Sequence, residues 1–175
     1  MVFNILNQLI NVAQQYPALI VGLVFLLTFT KSCAIVSLAV PGTSGLLLLG
    51  PLSAGSHSLF ILMWLTASAG AIGGFWLSWW LGKRYRHSVE KLRWFTPDMR
   101  EKSRTFLLRW GVYAVFLGRF ISPFRATIPL ASGIFGVTQH KFQLANISSA
   151  LVWTFILLAP GAITLGLSEF YSPAQ

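Results

Sequence analysis

The run "FLGRFISPFRATIPLASG", residues 116–133, sets two arginines, Arg119 and Arg125, and two prolines, Pro123 and Pro129, among apolar residues. A guanidinium is a fixed cation whose planar fork of N–H donors matches carboxylate or phosphate oxygens, so the chemistry on offer is anion binding. Inside a bilayer each arginine costs about 2.5–3.5 kcal/mol on insertion scales, and a pair of them needs partners. The chain has four acids, of which Glu90, Asp98 and Glu101 lie in one basic stretch. Only Glu169 remains, and one carboxylate cannot pair Arg119, Arg125 and Lys31 together. The missing negative charge is expected from outside the chain. A phosphate fits best, with the N-termini of broken helices adding backbone donors. The alternative for Arg119 is to snorkel to the interface or cap carbonyls, while Arg125, between the prolines, reads as the deeper of the two.

The elements that must position these arginines are membrane elements. The chain is 55% hydrophobic and 10% charged, with mean hydropathy +0.68, against about 25% charged residues in soluble domains. Leu59–Leu81 carries no charge over 23 residues and Phe142–Ser168 none over 27. Both exceed the roughly 20 residues that cross a bilayer core, which predicts transmembrane helices over 58–81 and 142–168. Two other apolar regions, 17–52 and 111–136, are too long for one span and too short for two. The first is broken by "VPGTSG" at Val40–Gly45, the second by Pro123 and Pro129. Each is expected to be a re-entrant hairpin, since irregular backbone at membrane depth survives only where protein or a watery cavity surrounds it. One span lies between the hairpins, so they enter from opposite faces. The expected fold is therefore a single all-α polytopic membrane domain with an inverted repeat, its binding site where the broken helices meet.

In residues 1–16, Phe3, Leu6, Ile10 and Ala13 share one helical face opposite Asn4, Asn7, Asn11 and Gln14, as in a helix lying at the interface. This start lacks a basic n-region and a small-residue cleavage site, so a signal peptide is not expected. The net charge is +9, and nine of the 13 basic residues fall in Lys83–Arg109, a block of net charge +6. So concentrated a charge in a loop between hydrophobic regions fits an anionic lipid surface, and nucleic acid is not an expected partner. Thr96, Pro97 and Asp98 supply an N-cap, a first-turn proline and a first-turn acid for a short helix within this amphipathic linker, 83–110. The positive-inside rule makes that linker cytoplasmic. Cys33 is the single cysteine and excludes an internal disulfide.

"GRFISPFRATIPLASG" followed by "KFQLANISSALVW" resembles the core signature of the DedA family, also called the VTT or SNARE-associated domain family. The matching pattern is Gly-Arg-Phe, an arginine six residues after the first, a proline four further on and a glycine four after that. Phe142, Asn146 and Trp153 then follow at the family's spacing. "VPGTSGLLLLG" is similar to the family's first hairpin, and "LGKRYR" to its junction after the first span. The resemblance implies two opposed re-entrant hairpins and a role in moving lipids across a bilayer. In bacteria these are chiefly undecaprenyl phosphate and related polyprenyl or phospholipid phosphates. It makes Arg119 and Arg125 the family's essential arginines. Proton-linked members resemble one another in a Glu in the first hairpin and an Asp twelve residues later, where this sequence has Lys31 and Thr43. Many also carry a Gly-Asp in the first span, here Gly73-Gly74, and a further C-terminal span that these residues do not contain. The implied fold survives these departures, but no carboxylate remains in the first hairpin to carry a proton.

Lys31 then reads as a fixed positive charge in place of a bound cation, or as a lysine snorkelling to the near interface; a catalytic lysine lacks supporting groups. The expected phosphate site comprises Arg119 and Arg125 with Lys31 and the Thr43 and Ser44 hydroxyls from the facing hairpin. Pro41, Gly42, Pro123 and Pro129 shape the hairpins. Asn146 either orients an arginine or bonds helix to helix. His57, His87 and His140 fall in connections with no acid at useful spacing, and no metal cluster, Walker loop or nucleophile elbow is present. Neither an enzyme nor a cofactor is expected. The expectation is a translocase of a phosphate-headgroup lipid in the bacterial inner membrane, possible as a homo-oligomer and not coupled to protons. The alternative is a lipid-binding scaffold or subunit that transports nothing.

Overall fold

The computed structural model describes residues 17–34, 57–89 and 95–171. Among these every regular element is helical: α1 (Pro17–Ser32), α2 (His57–Arg84), α3 (Arg86–Val89), α4 (Pro97–Trp110), α5 (Tyr113–Gly118), α6 (Ser122–Ile134) and α7 (Gln139–Tyr171). Two stretches are long and apolar enough to cross a membrane, Ser58–Arg84 in α2 and Gln139–Pro160 in α7. Their outward faces carry Ile61, Leu62, Leu65, Trp76 and Trp80 on α2 and Leu144, Ile147, Phe155 and Ile156 on α7. An apolar exterior of this extent suits hydrocarbon and not water.

The central element is α2, which packs against α1, α6 and α7. Small residues set how closely. A Cβ on Gly74 would lie 2.6 Å from the Phe29 carbonyl oxygen of α1, and one on Gly133 of α6 would fall on the Trp79 carbonyl oxygen of α2. In lipid, where burial gives little drive for helices to associate, such backbone contact supplies the packing. Polar groups join α2 to α7. Ser68 and Thr154 share a hydrogen bond of 2.7 Å, and Trp64 Nε1 donates to the Leu151 carbonyl at 3.0 Å.

Two apolar clusters result. One gathers Phe75, Trp79, Leu107, Val115, Ile128 and Phe142, the other Val24, Met63, Ala67, Trp153 and Leu158. Both α2 and α7 run through the two clusters, and the seam between them falls near the middle of α2.

The basic linker contains α4 as its short helix. The Thr96 side chain accepts from the Met99 N–H, Pro97 stands in the first turn with Asp98, and Gly111 closes the helix at a positive φ of 56°. Over 111–136 the chain forms α5 and α6, packed on one another, with Gly118 fitting against Ile128. At 1.5 Å per residue they are about 9 and 20 Å long, each short of a bilayer core of about 30 Å.

One sequence expectation about this region is overturned. Pro129 does not break the chain but sits inside α6. The break is earlier, at residues 119–121, where Phe120 N–H returns to the Leu117 carbonyl and Ile121 is extended. That places Pro123 in the first turn of α6, where its missing N–H has no intrahelical partner to lose. Further on, Pro129 removes only the bond that the Arg125 carbonyl would have accepted, and the tight packing of α6 on α2 holds the helix through it. Residues 1–16, the second limb of 17–52 and Pro41, Gly42, Thr43 and Ser44 lie outside the described residues.

Candidate functional site

Arg119 is the C-terminal residue of the turn that ends α5, and it is 1% exposed. It does not snorkel. It is more deeply buried than Arg125, which reverses the order read from the prolines. The reason is Asn146 of α7, whose Oδ1 accepts from Arg119 Nη2 at 2.6 Å. Asn146 Nδ2 donates to the Ile72 carbonyl of α2 at 3.0 Å and to Gln143 Oε1 at 2.9 Å. With both amide protons on acceptors, the oxygen must face the arginine. Asn146 therefore performs both roles that its position allowed, orienting Arg119 and joining α7 to α2. The guanidinium also lies over the Phe75 ring, its Cζ 3.8 Å from the centroid.

Arg125, one turn into α6, lies with its Cζ 4.1 Å from the centroid of the Trp153 ring. Desolvated cation–π contacts contribute about 2 kcal/mol each, which offsets much of the cost of holding these charges at depth. They satisfy charge but not donors. Among the described residues Nε and Nη1 of Arg119 and Nε and Nη2 of Arg125 are buried without a hydrogen-bond partner. In Arg125 those two nitrogens share one edge of the guanidinium, the edge that grips an oxyanion through two parallel bonds. In Arg119 the same edge is half taken by Asn146.

The arginines bridge the two apolar clusters, since Phe75 belongs to one and Trp153 to the other. Ile72, whose carbonyl anchors Asn146, is at the middle of the apolar stretch Ser58–Arg84. Asn146 thus holds Arg119 beside the middle of that stretch, and both guanidinia keep buried donors that have no partner among the described residues. Lys31, at the C-terminal end of α1 and half-buried, is within electrostatic range of Arg125, as Arg125 is of Arg119. The described side chains thus join Arg119 to Asn146, with Arg125 within electrostatic range of both Arg119 and Lys31 and Pro129 in the same helix as Arg125. Pro123 contributes its backbone to the start of α6. The acids whose side chains are described, Asp98 and Glu101, are exposed on α4 and pair there with Lys102 and Arg104.

Sequence reasoning did not find Phe75 as a partner of Arg119, and it noted Trp153 only for its spacing. A signal was present. Phe142, Asn146, Ser149 and Trp153 repeat at helical spacing, and all four are buried on one face of α7.

The VTT domain model matches residues 40–163, well over half of the chain. The chain belongs to the VTT domain (DedA) family. Among curated relatives, an uncharacterized membrane protein of Buchnera aphidicola is 27% identical over 161 residues, which cover 91% of this chain and 62% of that protein. The inner membrane protein YabI of Escherichia coli is 29% identical over 142 residues, 80% of this chain and 56% of YabI. The inner membrane protein YqjA of the same organism is 27% identical over 144 residues, 78% of this chain and 64% of YqjA. The chain thus spans about six tenths of the length of these relatives. No solved structure matches it.

Proposed function

We propose that this protein carries a phosphate-headgroup lipid, undecaprenyl phosphate or a related polyprenyl or phospholipid phosphate, across the bacterial inner membrane. The observation that carries the reading is the pair of guanidinia with four buried donor nitrogens that have no hydrogen-bond partner, and no carboxylate beside them, among the described residues. Phosphate oxygens are the acceptors such donors fit best, and Arg125 offers a complete edge for two-point binding. An apolar cleft of about 650 Å3 between α5 and α7, lined by Val112, Tyr113, Phe116 and Leu144, has room for a hydrocarbon tail beside these helices. The names of YabI and YqjA support placement in the inner membrane, and the basic linker would then face the cytoplasm. In this reading α5 and α6 form a re-entrant hairpin, and a second hairpin following α1 brings Thr43 and Ser44 to the phosphate. The protein itself does no chemistry on the lipid.

A second reading, a lipid-binding scaffold that transports nothing, draws on the Asn146 bond and Phe75 stacking, which hold Arg119 in one place. Flux of polyprenyl phosphate and of the corresponding phosphate-free polyprenol in proteoliposomes separates the two. A carrier moves the phosphate form and leaves the alcohol. A scaffold retains the phosphate form and moves neither.

A further inference from the structure

The cleft of about 650 Å3 between α5 and α7 takes Tyr113 and Phe116 from the first helix and Lys141, Leu144 and Ser148 from the second. Lys141 stands in the first turn of α7. That end of α7 lies beside the C-terminal part of α2, where Trp79 stacks on Phe142 and donates to the Val137 carbonyl. The mouth of the cleft is therefore at the basic end of the fold, with the exposed Lys83 and Arg84 of α2. From Lys141 to Ser148, α7 advances two turns, about 10 Å into its apolar stretch Gln139–Pro160.

Polarity falls along that length. At the mouth Lys141 is exposed and has no ion pair or hydrogen bond among the described residues, and the hydroxyl of Tyr113, a residue 73% exposed, has no partner there either. Deeper, the walls are Phe116, Leu144 and Ala145, with Leu144 75% exposed. Ser148 adds no free donor, because its Oγ donates to the Leu144 carbonyl at 2.9 Å. A cleft of this size, apolar apart from a few placed polar groups, has the form of a ligand site. Its gradient from a cation and a phenol to bare hydrocarbon matches an amphiphile with a negative head. Asn146, which holds Arg119, is fully buried, whereas Leu144 and Ser148 on either side of it in sequence are exposed. The cleft and the arginines thus lie on different faces of α7.

We infer that this cleft binds an anionic glycerophospholipid, with one acyl chain between Phe116 and Leu144 and the headgroup phosphate at Lys141 and Tyr113. The inference rests on the reading of these helices as standing in lipid, and it gives the tail cleft a headgroup contact of its own at the basic end. An ammonium is a compact point charge with no fork to match. The cleft therefore accepts a singly charged phosphodiester, whereas the Arg125 edge favours two parallel bonds to one phosphate.

The test uses the intact protein in neutral detergent, equilibrated with equal amounts of phosphatidylglycerol and phosphatidylcholine, and native mass spectrometry reads the bound fraction of each. Lys141→Gln should lower phosphatidylglycerol retention about fivefold, the loss of one basic side chain at a charged surface, and leave phosphatidylcholine unchanged. Lys141→Arg should keep the wild-type preference, since a point charge suffices. Ser148→Trp should lower retention of both lipids, because the indole takes the space of the chain. Lys141 and Ser148 are both exposed, and each variant tests the site without the other. Phosphatidylglycerol retention unchanged in Lys141→Gln would overturn the inference. So would retention unaffected by Ser148→Trp, which would leave a basic surface and no cleft site. Polyprenyl phosphate retention in Arg125→Gln keeps this outcome apart from that of the carrier reading. Its loss there, with no effect of Lys141→Gln on phosphatidylglycerol, sinks the cleft site alone; the opposite pair of results sinks the carrier reading alone.

Discussion

Arg119 and Asn146, 27 residues apart in sequence, meet through a buried hydrogen bond of 2.6 Å between Nη2 and Oδ1. This bond ties the turn after α5 to α7, and the other end of the amide ties α7 to α2. Replacing Asn146 by Ala removes the oxygen and leaves the guanidinium with no hydrogen-bond acceptor among the described residues, at a cost of about 1–3 kcal/mol. Asn146→Asp keeps an oxygen in place and adds a negative charge beside the cation. Thermal unfolding in detergent should rank the wild type first, Asp second and Ala last. Phosphate-lipid binding should be lost in both variants, because the Asp carboxylate occupies the charge that the phosphate would use. An Asp variant that binds phosphate lipid as the wild type does would remove the site from Arg119.

Arg125 presents Nε and Nη2 together without a partner. An ammonium cannot reproduce that edge or stack on Trp153 as a planar guanidinium does. Arg125→Lys should therefore lower lipid flux nearly as far as Arg125→Ala, at least tenfold, which corresponds to about 1.4 kcal/mol. Full activity in the Lys variant would mean that only a point charge is needed.

The two helices long and apolar enough to cross a membrane were legible because a long uncharged run has few other fates, and α4 because Thr96, Pro97 and Asp98 each carry a local signal. Arg119 and Arg125 were legible for a different reason: charge in an apolar run is so unfavourable that its presence calls for an explanation. Their relative depth was not legible. The prolines suggested that Arg125 was innermost, but depth depends on which helix supplies a partner, and Asn146 and Phe75 come from α7 and α2. Pro129 misled in the same way, since a proline breaks a helix only where nothing else holds it. The family resemblance reached the right family through the spacing of Arg119, Arg125, Pro129 and Gly133, a pattern that tertiary contacts fix and periodicity alone does not reveal.

Gly133 and Gly22 make a matched pair for packing. A Cβ at Gly133 would strike the Trp79 carbonyl oxygen and stand 2.7 Å from the Lys83 nitrogen, whereas one at Gly22 meets nothing within 4 Å. Backbone atoms cannot turn aside as a side chain can. Gly133→Ala should destabilise by about 1–3 kcal/mol, the range for overpacking. Gly22→Ala, in an exposed position of α1, should be neutral or stabilise by up to about 1 kcal/mol. Unfolding followed by tryptophan fluorescence in detergent reads both.

Coupling is where this sequence departs most from what its resemblance implies. A proton drives a carrier only if it binds one conformation better than the other, and Lys31 and Thr43 stand where proton-linked relatives are expected to have carboxylates. Collapsing the proton gradient in proteoliposomes at a clamped membrane potential should leave the initial flux nearly unchanged. Lys31→Glu should make flux depend on pH. A steep loss of wild-type flux on adding a protonophore would place a driving proton site elsewhere in the chain.

The most direct measurement of the central claim is competitive retention of two lipids that differ only in the phosphate. Purified protein is equilibrated with equal amounts of polyprenyl phosphate and polyprenol, and the bound fraction is read by native mass spectrometry in the wild type and in Arg119→Gln and Arg125→Gln. The account predicts that the wild type prefers the phosphate form and that each substitution lowers the preference at least tenfold, about 1.4 kcal/mol. Equal retention of the two lipids by the wild type, or a preference that survives both substitutions, would contradict it.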